Sequence, residues 1–491
     1  MEKLVKFTFK DLKNLLQKKE VSVKEVVTAY IAEAEKNRHL NIYITETFDQ
    51  ALEKAKESDL RYKKNEARPL EGLPLAIKDL FCTKGVKTTA ASKILDGFIP
   101  PYDSTVTEKL FHAGVVSMGK TNTDEFAMGS STITSCYGPS INPWRSSSEP
   151  DADLTSGGSS GGSASAVAAG TALAGIGTDT GGSIRQPASL CGLVGIKPTY
   201  GLCSRFGVVA FASSLDHPSP IGRTVYDTAM LLEYMAGHDP KDSTSLNIPV
   251  PQYTKTLTGN VKGLKIGIPK EYDMPGIDPE IKSLWEKSAL WFQEMGAEII
   301  PISLPHTKYG LPTYYIIAPA EASSNLARYD GVRYGLRADG KSMEQIYSNT
   351  RTRGFGDEVT RRILIGTYVL SSGSYEDYYV RAQRVRRKVA DDFVEAFKTV
   401  DLILTPTTSG EAFKLGENIK DPIAMYLQDI FTVTSNLAGV PAISLPAGLS
   451  KNNLPLGMQL IGPALSESLL FNAAYALETF VNFEIQPIKE I

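Results

Sequence analysis

The chain is organised around residues 156–188, which read SGGSSGGSASAVAAGTALAGIGTDTGGSIRQPA. Two Gly-Gly-Ser turns, at 157–159 and 181–183, bracket a run of Ala, Val, Leu and Gly. Glycines before a serine let the backbone adopt positive φ and leave its N–H groups open to a ligand. The small residues of 163–173 predict a helix packed too closely for larger side chains. We therefore expect this segment to hold two hydroxyls, on Ser159 and Ser183, on a rigid support.

Three other interpretations of this segment fit less well. A flexible Gly/Ser linker is polar throughout, whereas this one encloses an apolar run. Residues 157–161 match the G-x-S-x-G nucleophile elbow, but that motif needs a buried strand before it and a histidine after it. Here 146–156 is polar and the last histidine is His306. A phosphate loop needs a lysine that 177–183 lacks. What remains is a serine nucleophile whose base is not histidine.

Composition places the chain among ordinary globular proteins. It has 491 residues, of which 42% are hydrophobic and 22% charged, and such a chain can bury a large core. A net charge of −3 does not favour a main nucleic-acid binder, so any RNA is expected to be held mostly by a partner. Residues 1–16 lack the apolar core of a signal peptide, and no apolar run approaches the about 18 residues of a membrane span. We expect a cytoplasmic protein that does not enter a membrane.

The cysteine pattern predicts thiols rather than a disulfide framework. The four cysteines, Cys82, Cys136, Cys191 and Cys203, are far apart and form no C-x-x-C pair. This spacing is typical of a reducing compartment with mostly buried thiols, and it argues against a zinc or other metal site.

Alternating helix and strand patterns predict an α/β fold with a mixed sheet. Ser22 with Glu25, and Thr105 with Glu108, form candidate capping boxes at two helix starts, and Pro279 after Asp278 marks a third. The helices are expected at 8–37 (two of them), 51–64, 105–113, 225–236, 279–295 and 466–480, and the strands at 73–78, 115–118, 264–268, 298–302, 402–404, 442–445 and 456–461.

A basic run at 375–388 has two interpretations. It could be a basic helical face for RNA or an acidic partner, or a solvated face balanced by Glu376 and Asp377; the second is favoured. Its cations are Arg381, Arg384, Arg386, Arg387 and Lys388.

The base for a serine nucleophile can be a lysine. A serine hydroxyl is a poor nucleophile until a base takes its proton, and burial lowers a lysine pKa by disfavouring the charged form. Lys78 follows the apolar strand 73–77, so it is the candidate, although most lysines are surface charges.

Three blocks together resemble the amidase signature family: AIKD at 76–79, the glycine-rich 156–165, and TDTGGSIR at 178–185. The resemblance implies an amidase signature fold, a large mixed β-sheet flanked by helices. It also implies one domain over 1–491, with an N-terminal helical layer at 1–65. The catalytic core would be 66–491, with a helical lobe at 305–400 over the site.

The same resemblance implies the catalytic groups. Ser183 would be the acylated nucleophile, Ser159 the bridging serine behind a cis Gly158–Ser159 bond, and Lys78 the base. Backbone N–H groups of Thr180, Gly181, Gly182 and Ser183 would form the oxyanion hole.

Further blocks at 121–132, 204–216 and 321–331 are most similar to the glutaminase subunits of tRNA-dependent amidotransferases. This implies that glutamine is the substrate, contacted by Tyr314, Arg362, Asp429 and Ser131. It implies no cofactor in this chain; ATP and Mg²⁺ would act at a partner, the B subunit of the complex, which would also hold most of the tRNA. A small C subunit would complete a heterotrimer that amidates Glu-tRNA(Gln), with Asp-tRNA(Asn) as a second candidate substrate. The rivals are a free-standing amidase for another small amide and a non-catalytic scaffold.

Two places depart from the family pattern. Ser156 replaces a usual proline after a polar insertion at 146–153, and His217-Pro218-Ser219-Pro220 stands where Gln followed by Gly-Pro is usual. Neither touches the three catalytic candidates, but both leave the loop geometry and the partner contacts open.

Overall fold

A computed structural model describes residues 3–416 and 426–483. Within those ranges the strands form one mixed sheet, in the order β1-β3-β2-β4-β6-β5-β10-β11-β9-β7-β8, with helices packed against it. The α/β fold predicted from the sequence is confirmed. The strands are β1 (Tyr43–Glu46), β2 (Pro74–Lys78), β3 (Val116–Thr121), β4 (Ala174–Asp179), β5 (Val194–Lys197), β6 (His217–Gly222), β7 (Lys265–Pro269), β8 (Glu298–Ile302), β9 (Leu402–Pro406), β10 (Ala442–Leu449) and β11 (Pro455–Ile461).

The helices follow the predicted pattern over most of the described chain. Ser22 and Glu25 form the expected capping box at the start of the second helix. The helices are α1 (Phe9–Gln17), α2 (Val23–Lys36), α3 (Phe48–Lys64), α4 (Thr105–Ala113), α5 (Gly161–Ala168), α6 (Arg185–Leu190), α7 (Val225–Met235), α8 (Pro279–Glu294), α9 (Gly310–Asn325), α10 (Met343–Gly354), α11 (Asp357–Val369), α12 (Arg381–Ala396), α13 (Val433–Ala438) and α14 (Glu467–Val481).

The centre of the sheet is built for close approach. β2 runs parallel to β4, with Ile77 opposite Ile176, so their carboxyl ends adjoin. The start of α5 packs directly on β4. The approach is so close that a methyl group at Gly177 would lie 2.5 Å from Ser160 Oγ. Because residue 177 is glycine, the turn that holds Ser159 and Ser160 can contact the carboxyl end of β4.

Two local predictions are wrong. The helix expected over 163–173 ends at Ala168, and Ala174 already begins β4; small residues fit both structures, so the pattern could not mark the boundary. The capping box of Thr105 with Glu108 is absent. Ser104 caps α4 instead by accepting a hydrogen bond from the Thr107 N–H.

The strands β1, β4, β5 and β6 were not predicted, and β6 carries the His-Pro-Ser-Pro departure. Proline lacks an N–H and is usually excluded from central strands. The antiparallel ladder with β4 nevertheless continues past Pro218 and Pro220. Their nitrogens must face the other side, where β5 pairs only with Ile221 and Gly222. The sheet therefore accepts both prolines.

The polar insertion at 146–153 is a loop on the core. The Ser147 N–H donates to the Asn452 carbonyl, and the neighbouring Thr155 N–H donates to that of Phe413, both at 2.9 Å. The insertion borders a polar cavity of about 370 Å³.

The basic run is divided between solvent and core. Arg381, Arg384, Arg387 and Lys388 are exposed, as the favoured interpretation requires. Arg386 turns inward and donates to the Leu437 carbonyl at 2.9 Å and to Ser214 Oγ at 2.7 Å. The run is therefore partly structural.

The cysteines are free thiols, and three of the four are buried while Cys136 is exposed. Among residues 3–416 and 426–483, no helix combines the length and apolar character needed to cross a membrane.

Candidate active site

Lys78 ends β2 inside the protein, with no exposed surface. Its Nζ lies 2.7 Å from Ser159 Oγ and 2.9 Å from both Ser160 Oγ and Thr178 Oγ1. The parallel pairing of β2 with β4 places Thr178 beside it, and the turn before α5 supplies the two serines. The amine is thus surrounded by three hydroxyls.

The environment of Lys78 favours the neutral amine. Burial lowers its pKa to about 7, against the opposing effect of the nearby carboxyl groups of Asp124, Asp179 and Asp216. Desolvation disfavours the charged form of any buried lysine. Near neutral pH a large fraction of the amine is therefore able to accept a proton.

The two Gly-Gly-Ser turns lie side by side. The Gly158–Ser159 bond is cis, as the resemblance implies, and the Ser160 N–H donates to the Ser183 carbonyl at 3.1 Å. Ser183 is 8% exposed, whereas Lys78 and Ser159 have no exposed surface. Among the described residues the Ser183 hydroxyl makes no hydrogen bond, to Ser159 or elsewhere. The structure thus brings Lys78 and Ser159 into contact, but the hydrogen bond predicted between Ser159 and Ser183 is not made.

The turn that leads into Ser183 presents part of the expected oxyanion hole. The N–H groups of Thr180, Gly181 and Ser183 have no hydrogen-bond acceptor among the described residues. The Gly182 N–H differs from the expectation, because it donates to Asp179 Oδ1 at 2.9 Å. Gly182 is needed for its φ of +138° and its space, since a methyl group there would lie 2.3 Å from Thr432 Oγ1.

Asp179 holds this turn through its carboxylate. Arg185 binds it from Nε and Nη2, both at 3.0 Å, and Asn436 Nδ2 donates at 2.8 Å. Burial alone would raise the pKa of the Asp179 carboxyl, but the Arg185 guanidinium beside it holds that pKa well below its usual range. Asp179 therefore stays ionised and keeps the turn closed.

Tyr314 packs against the turn. The residue is buried on α9, and a methyl group at Gly181 would lie 2.7 Å from its Cζ. Its ring meets the Tyr315 ring edge-on at 5.0 Å. Tyr314 thus forms one wall beside the turn.

Arg362 is a buried cation on α11. Its Nε donates to Glu358 Oε1 at 2.8 Å, and its guanidinium lies over the rings of Tyr315, Tyr426 and Phe211 at 5.3, 5.4 and 5.6 Å. Aromatic faces favour a cation at such distances. These contacts hold the guanidinium in place. Its Nη1 and Nη2 N–H groups make no hydrogen bond within the described residues and so can donate to a bound molecule.

Asp429 is a buried carboxylate near the same turn. Its Oδ1 accepts from Gln186 Nε2 at 2.8 Å, and its Oδ2 accepts from the Tyr315 hydroxyl at 2.7 Å. Burial raises the pKa of Asp429 to about 6, opposed by those hydrogen bonds. Tyr315 contacts both residues, because its hydroxyl donates to Asp429 and its ring lies under the Arg362 guanidinium. The two charged residues predicted to bind the substrate therefore belong to one cluster.

Ser131 is buried against the serine turn. A methyl group at Gly158 would lie 2.5 Å from the Ser131 nitrogen. Its Oγ is buried without a hydrogen-bond partner among the described residues. A free hydroxyl in this position is available to a bound molecule.

Sequence reasoning missed the groups that support these residues. Ser160 and Thr178 contact Lys78, while Tyr315, Gln186 and Glu358 contact the two predicted charges. Glu358 is four residues before Arg362 on one helix, a spacing that brings side chains together and could have been noticed. The other four lie beside or within the segments already singled out, but nothing local shows which side chains turn toward Lys78 or Asp429. In the described part of the chain, no three His, Cys, Asp or Glu residues are grouped to hold a metal ion.

Fold and site together define an enzyme of the amidase type, and the chain belongs to the Amidase family, whose sequence model matches residues 25–471. It is 57% identical over 487 residues to the A subunit of glutamyl-tRNA(Gln) amidotransferase from Paramagnetospirillum magneticum, covering 99% of each chain. The protein of the same name from Caulobacter vibrioides is 59% identical over 486 residues, again covering 99% of each.

Solved structures agree with this assignment. That of the glutamyl-tRNA(Gln) amidotransferase A subunit from Thermotoga maritima matches with a TM-score of 0.79 at 41% identity, over 97% of this chain and 95% of that one. A bacterial aryl acylamidase of the amidase signature family matches with a TM-score of 0.83 at 25% identity, over 99% of both chains.

Proposed function

We propose that this chain is the glutamine-hydrolysing subunit of a tRNA-dependent amidotransferase. The observation that carries the proposal is the buried Lys78 amine, with a pKa of about 7, lying 2.7 Å from Ser159 Oγ at the turn that also holds Ser183. The names of the highly identical relatives support tRNA-dependent amidation in particular.

The hydrogen-bond pattern around Lys78 supports its role as base. A neutral amine has two N–H groups and one lone pair. The Ser160 hydroxyl donates to the Thr178 carbonyl at 3.2 Å, so it accepts one N–H of Lys78, and Thr178 Oγ1 accepts the other. The lone pair is then directed at the Ser159 hydroxyl.

The reaction begins when glutamine enters and the Ser183 side chain turns toward Ser159. Ser159 passes its proton to Lys78 and takes the proton of Ser183, whose Oγ attacks the amide carbon. The tetrahedral intermediate collapses as the proton returns from Lys78 to the leaving nitrogen, which departs as ammonia. Water then attacks the glutamyl ester on Ser183 by the reverse path, releasing glutamate and restoring the hydroxyl.

The oxyanion of both tetrahedral intermediates is stabilised by the N–H groups of Thr180, Gly181 and Ser183, which have no other acceptor in the described chain. Such donors act without reorganisation when they are fixed beforehand, and losing one typically costs about 10²–10³-fold in kcat. Gly182 serves the backbone turn instead of this hole, since its N–H is bound to Asp179.

Substrate selection rests on the two buried charges. Arg362 pairs with the α-carboxylate of glutamine, because a guanidinium fork matches carboxylate geometry, and Asp429 accepts from the α-ammonium. Tyr314 shapes the pocket, and the free Ser131 hydroxyl hydrogen-bonds the substrate. This pair of opposite charges favours a free amino acid over an aryl amide.

Ammonia is then used by the partner proteins of the complex. The B subunit activates the glutamyl group of Glu-tRNA(Gln), or the aspartyl group of Asp-tRNA(Asn), with ATP and Mg²⁺, and ammonia completes the amide. The C subunit completes a heterotrimer in the cytoplasm. We take residues 1–491 as one amidase domain, with a helical layer at 1–65, a core at 66–491 and a lobe at 305–400. The single eleven-stranded sheet supports one domain, and its outer strand β1 joins the 1–65 layer to the core.

One experiment separates this proposal from its rivals. Ammonia release from glutamine and from simple aryl and alkyl amides is measured for the chain alone and with its partner subunits, and Ser183 is examined by mass spectrometry for a glutamyl adduct. We expect glutamine-specific turnover, the adduct on Ser183, and loss of both in Ser183→Ala. Turnover of simple amides with indifference to glutamine would identify a free-standing amidase. Unchanged ammonia release in Ser183→Ala would identify a scaffold.

A further inference from the structure

Behind the catalytic turn lies a buried histidine that the proposed reaction does not use. His217 begins β6, pairs with Asp179 in the sheet register, and is 2% exposed. Its Nδ1 lies 3.0 Å from the Asp179 carbonyl oxygen and also contacts the Leu215 carbonyl oxygen. Its Nε2 lies 3.5 Å from the Nζ of Lys197, which has no exposed surface.

These contacts fix the hydrogen on the ring. Carbonyl oxygens can only accept, so Nδ1 must carry the hydrogen that faces them. Lysine can donate whether or not it is charged, so Nε2 offers its lone pair to Lys197. Burial and the neighbouring Lys197 lower the pKa of His217 well below its usual range, which agrees with a neutral ring.

The contact with Asp179 bears directly on the oxyanion hole. The Asp179 carbonyl and the Thr180 N–H belong to one planar trans peptide unit, so they point in opposite directions. The antiparallel register already faces this carbonyl toward β6, and a ring donor that fixes it there keeps the Thr180 N–H directed away from β6. Asn436 Nδ2, at 3.3 Å from the same carbonyl, assists. The Thr180 hydroxyl is fixed as well, since it donates to Asp216 at 2.8 Å.

We propose that His217, in its neutral Nδ1–H form and held by Lys197, is a positioning residue that orients the Thr180 N–H for the oxyanion of the reaction. The inference rests on the proposed glutaminase function and deepens it. It assigns to this chain's His-Pro-Ser-Pro segment a task in transition-state stabilisation. His217 touches neither substrate nor nucleophile and acts only through the 179–180 peptide.

The test compares His217→Leu, which removes the donor, with His217→Asn, whose side-chain amide can place an N–H near the Nδ1 position. The control is Ser219→Ala, which removes a buried hydrogen bond to the His217 carbonyl on the same strand. Glutamine turnover is measured on the full chain assembled with its partner subunits. We expect His217→Leu to lower kcat about 10- to 100-fold, less than the about 10²–10³-fold typical of an oxyanion donor that is removed outright, because the Thr180 N–H is misdirected and not lost; KM should change less than about threefold. We expect His217→Asn to recover most of kcat and Ser219→Ala to leave it unchanged.

Several outcomes would overturn the inference. These are a kcat within threefold of the parent in His217→Leu, a KM effect in place of the kcat effect, or an equal loss in His217→Asn or Ser219→Ala. If His217→Leu does not fold, the tautomer and charge of His217 are measured instead by ¹⁵N-histidine NMR of the unaltered protein. The chain has only five histidines, so few signals need to be assigned. A charged ring or an Nε2–H tautomer at His217 near neutral pH contradicts the inference. Ser183→Ala in the same assay tests the glutaminase function separately.

Discussion

At the scale of single residues, the protonation of Lys78 governs the reaction that we propose. The amine must be neutral to accept a proton, and burial lowers its pKa to about 7. We therefore expect kcat/KM for glutamine to fall about tenfold per pH unit below 7 and to level off above it. A rate profile from pH 5.5 to 9 checks this. A half-maximum that remains above pH 9 would contradict the assignment, and Lys78→Ala should be inactive throughout.

Ser159 and Ser160 are adjacent and both contact Lys78, yet we expect them to differ. In the proposed reaction Ser159, 2.7 Å from the amine, gives its proton to Lys78, whereas the Ser160 hydroxyl donates to the Thr178 carbonyl. Ser159→Ala should lower kcat by more than about 10³-fold, because it removes the proton path. Ser160→Ala should lower it by about tenfold, because it only loosens the lysine. Stopped assays of glutamate release measure both, and equal losses would argue against the bridging role.

The residues that could be predicted from the sequence are those whose spacing is fixed by glycine. Ser159 and Ser183 each follow Gly-Gly, so local pattern marks both, whereas Lys78 at the end of an apolar strand is only a candidate until the family resemblance adds its role. Gln186, Tyr315 and Thr432 meet around the same turn only because α6, α9 and the region before α13 converge there. Their contacts depend on tertiary packing, and no local signal carries that information.

At the scale of elements, α11 presents Arg362 by pairing it with Glu358 one turn earlier. Glu358→Gln should raise KM for glutamine several-fold and change kcat little, because the guanidinium loses an ionic partner that fixes its direction. Thr367→Ala on the same helix is the matched control, since among the described residues that hydroxyl bonds only the Ile363 carbonyl. Steady-state kinetics of both variants check this. An unchanged KM in Glu358→Gln would show that the aromatic rings alone hold Arg362.

The turn between β4 and α6 depends on the ion pair of Asp179 with Arg185, both fully buried. Removing one partner of a buried pair costs roughly 3–5 kcal/mol, because the other charge is left without compensation. Arg185→Met should therefore lower stability by about that amount in denaturant unfolding. Arg387→Met breaks an exposed pair with Asp391 and should cost roughly 0–1 kcal/mol. Similar losses in the two variants would contradict the structural role.

Elements differ in how far the sequence predicts them. Amphipathic helices such as α1 and α2 have one apolar face and capping residues, so their pattern is unambiguous. β4 and α5 are buried on all sides and built mainly from small residues. Full burial removes the periodicity that separates helix from strand, which is why the pattern does not mark their boundary.

At the scale of the whole molecule, Glu125 connects the sheet core to the helices at 310–396. Its Oε2 accepts from the Gly356 N–H at 2.9 Å, at the start of α11, and burial raises its pKa to about 7. Between pH 4.5 and 7 the folded carboxyl holds a proton that the unfolded one has lost, so stability should fall as the pH rises through this window.

The other carboxyl oxygen of Glu125, Oε1, contacts Ser92 Oγ. Glu125→Gln should remove the pH dependence, because the neutral amide can accept from the Gly356 N–H through its oxygen and donate to Ser92 Oγ through its nitrogen. The expected difference between parent and variant, on the order of 1–3 kcal/mol between pH 5 and 7.5, is measured by unfolding in denaturant at the two pH values. Parallel curves for the two proteins would mean that Glu125 titrates normally.

The outermost strands of the sheet, β1 and β8 in the described chain, have a bearing on solubility. β8 pairs with β7 on one side only, and it carries the exposed residues Glu298 and Pro301. A charged residue and a proline on an edge strand prevent a strand of another molecule from pairing with it by backbone hydrogen bonds. An exposed edge strand can otherwise pair with the edge of another molecule. The sequence of β8 thus discourages self-association through this edge of the sheet, while the interior of the protein remains strongly apolar.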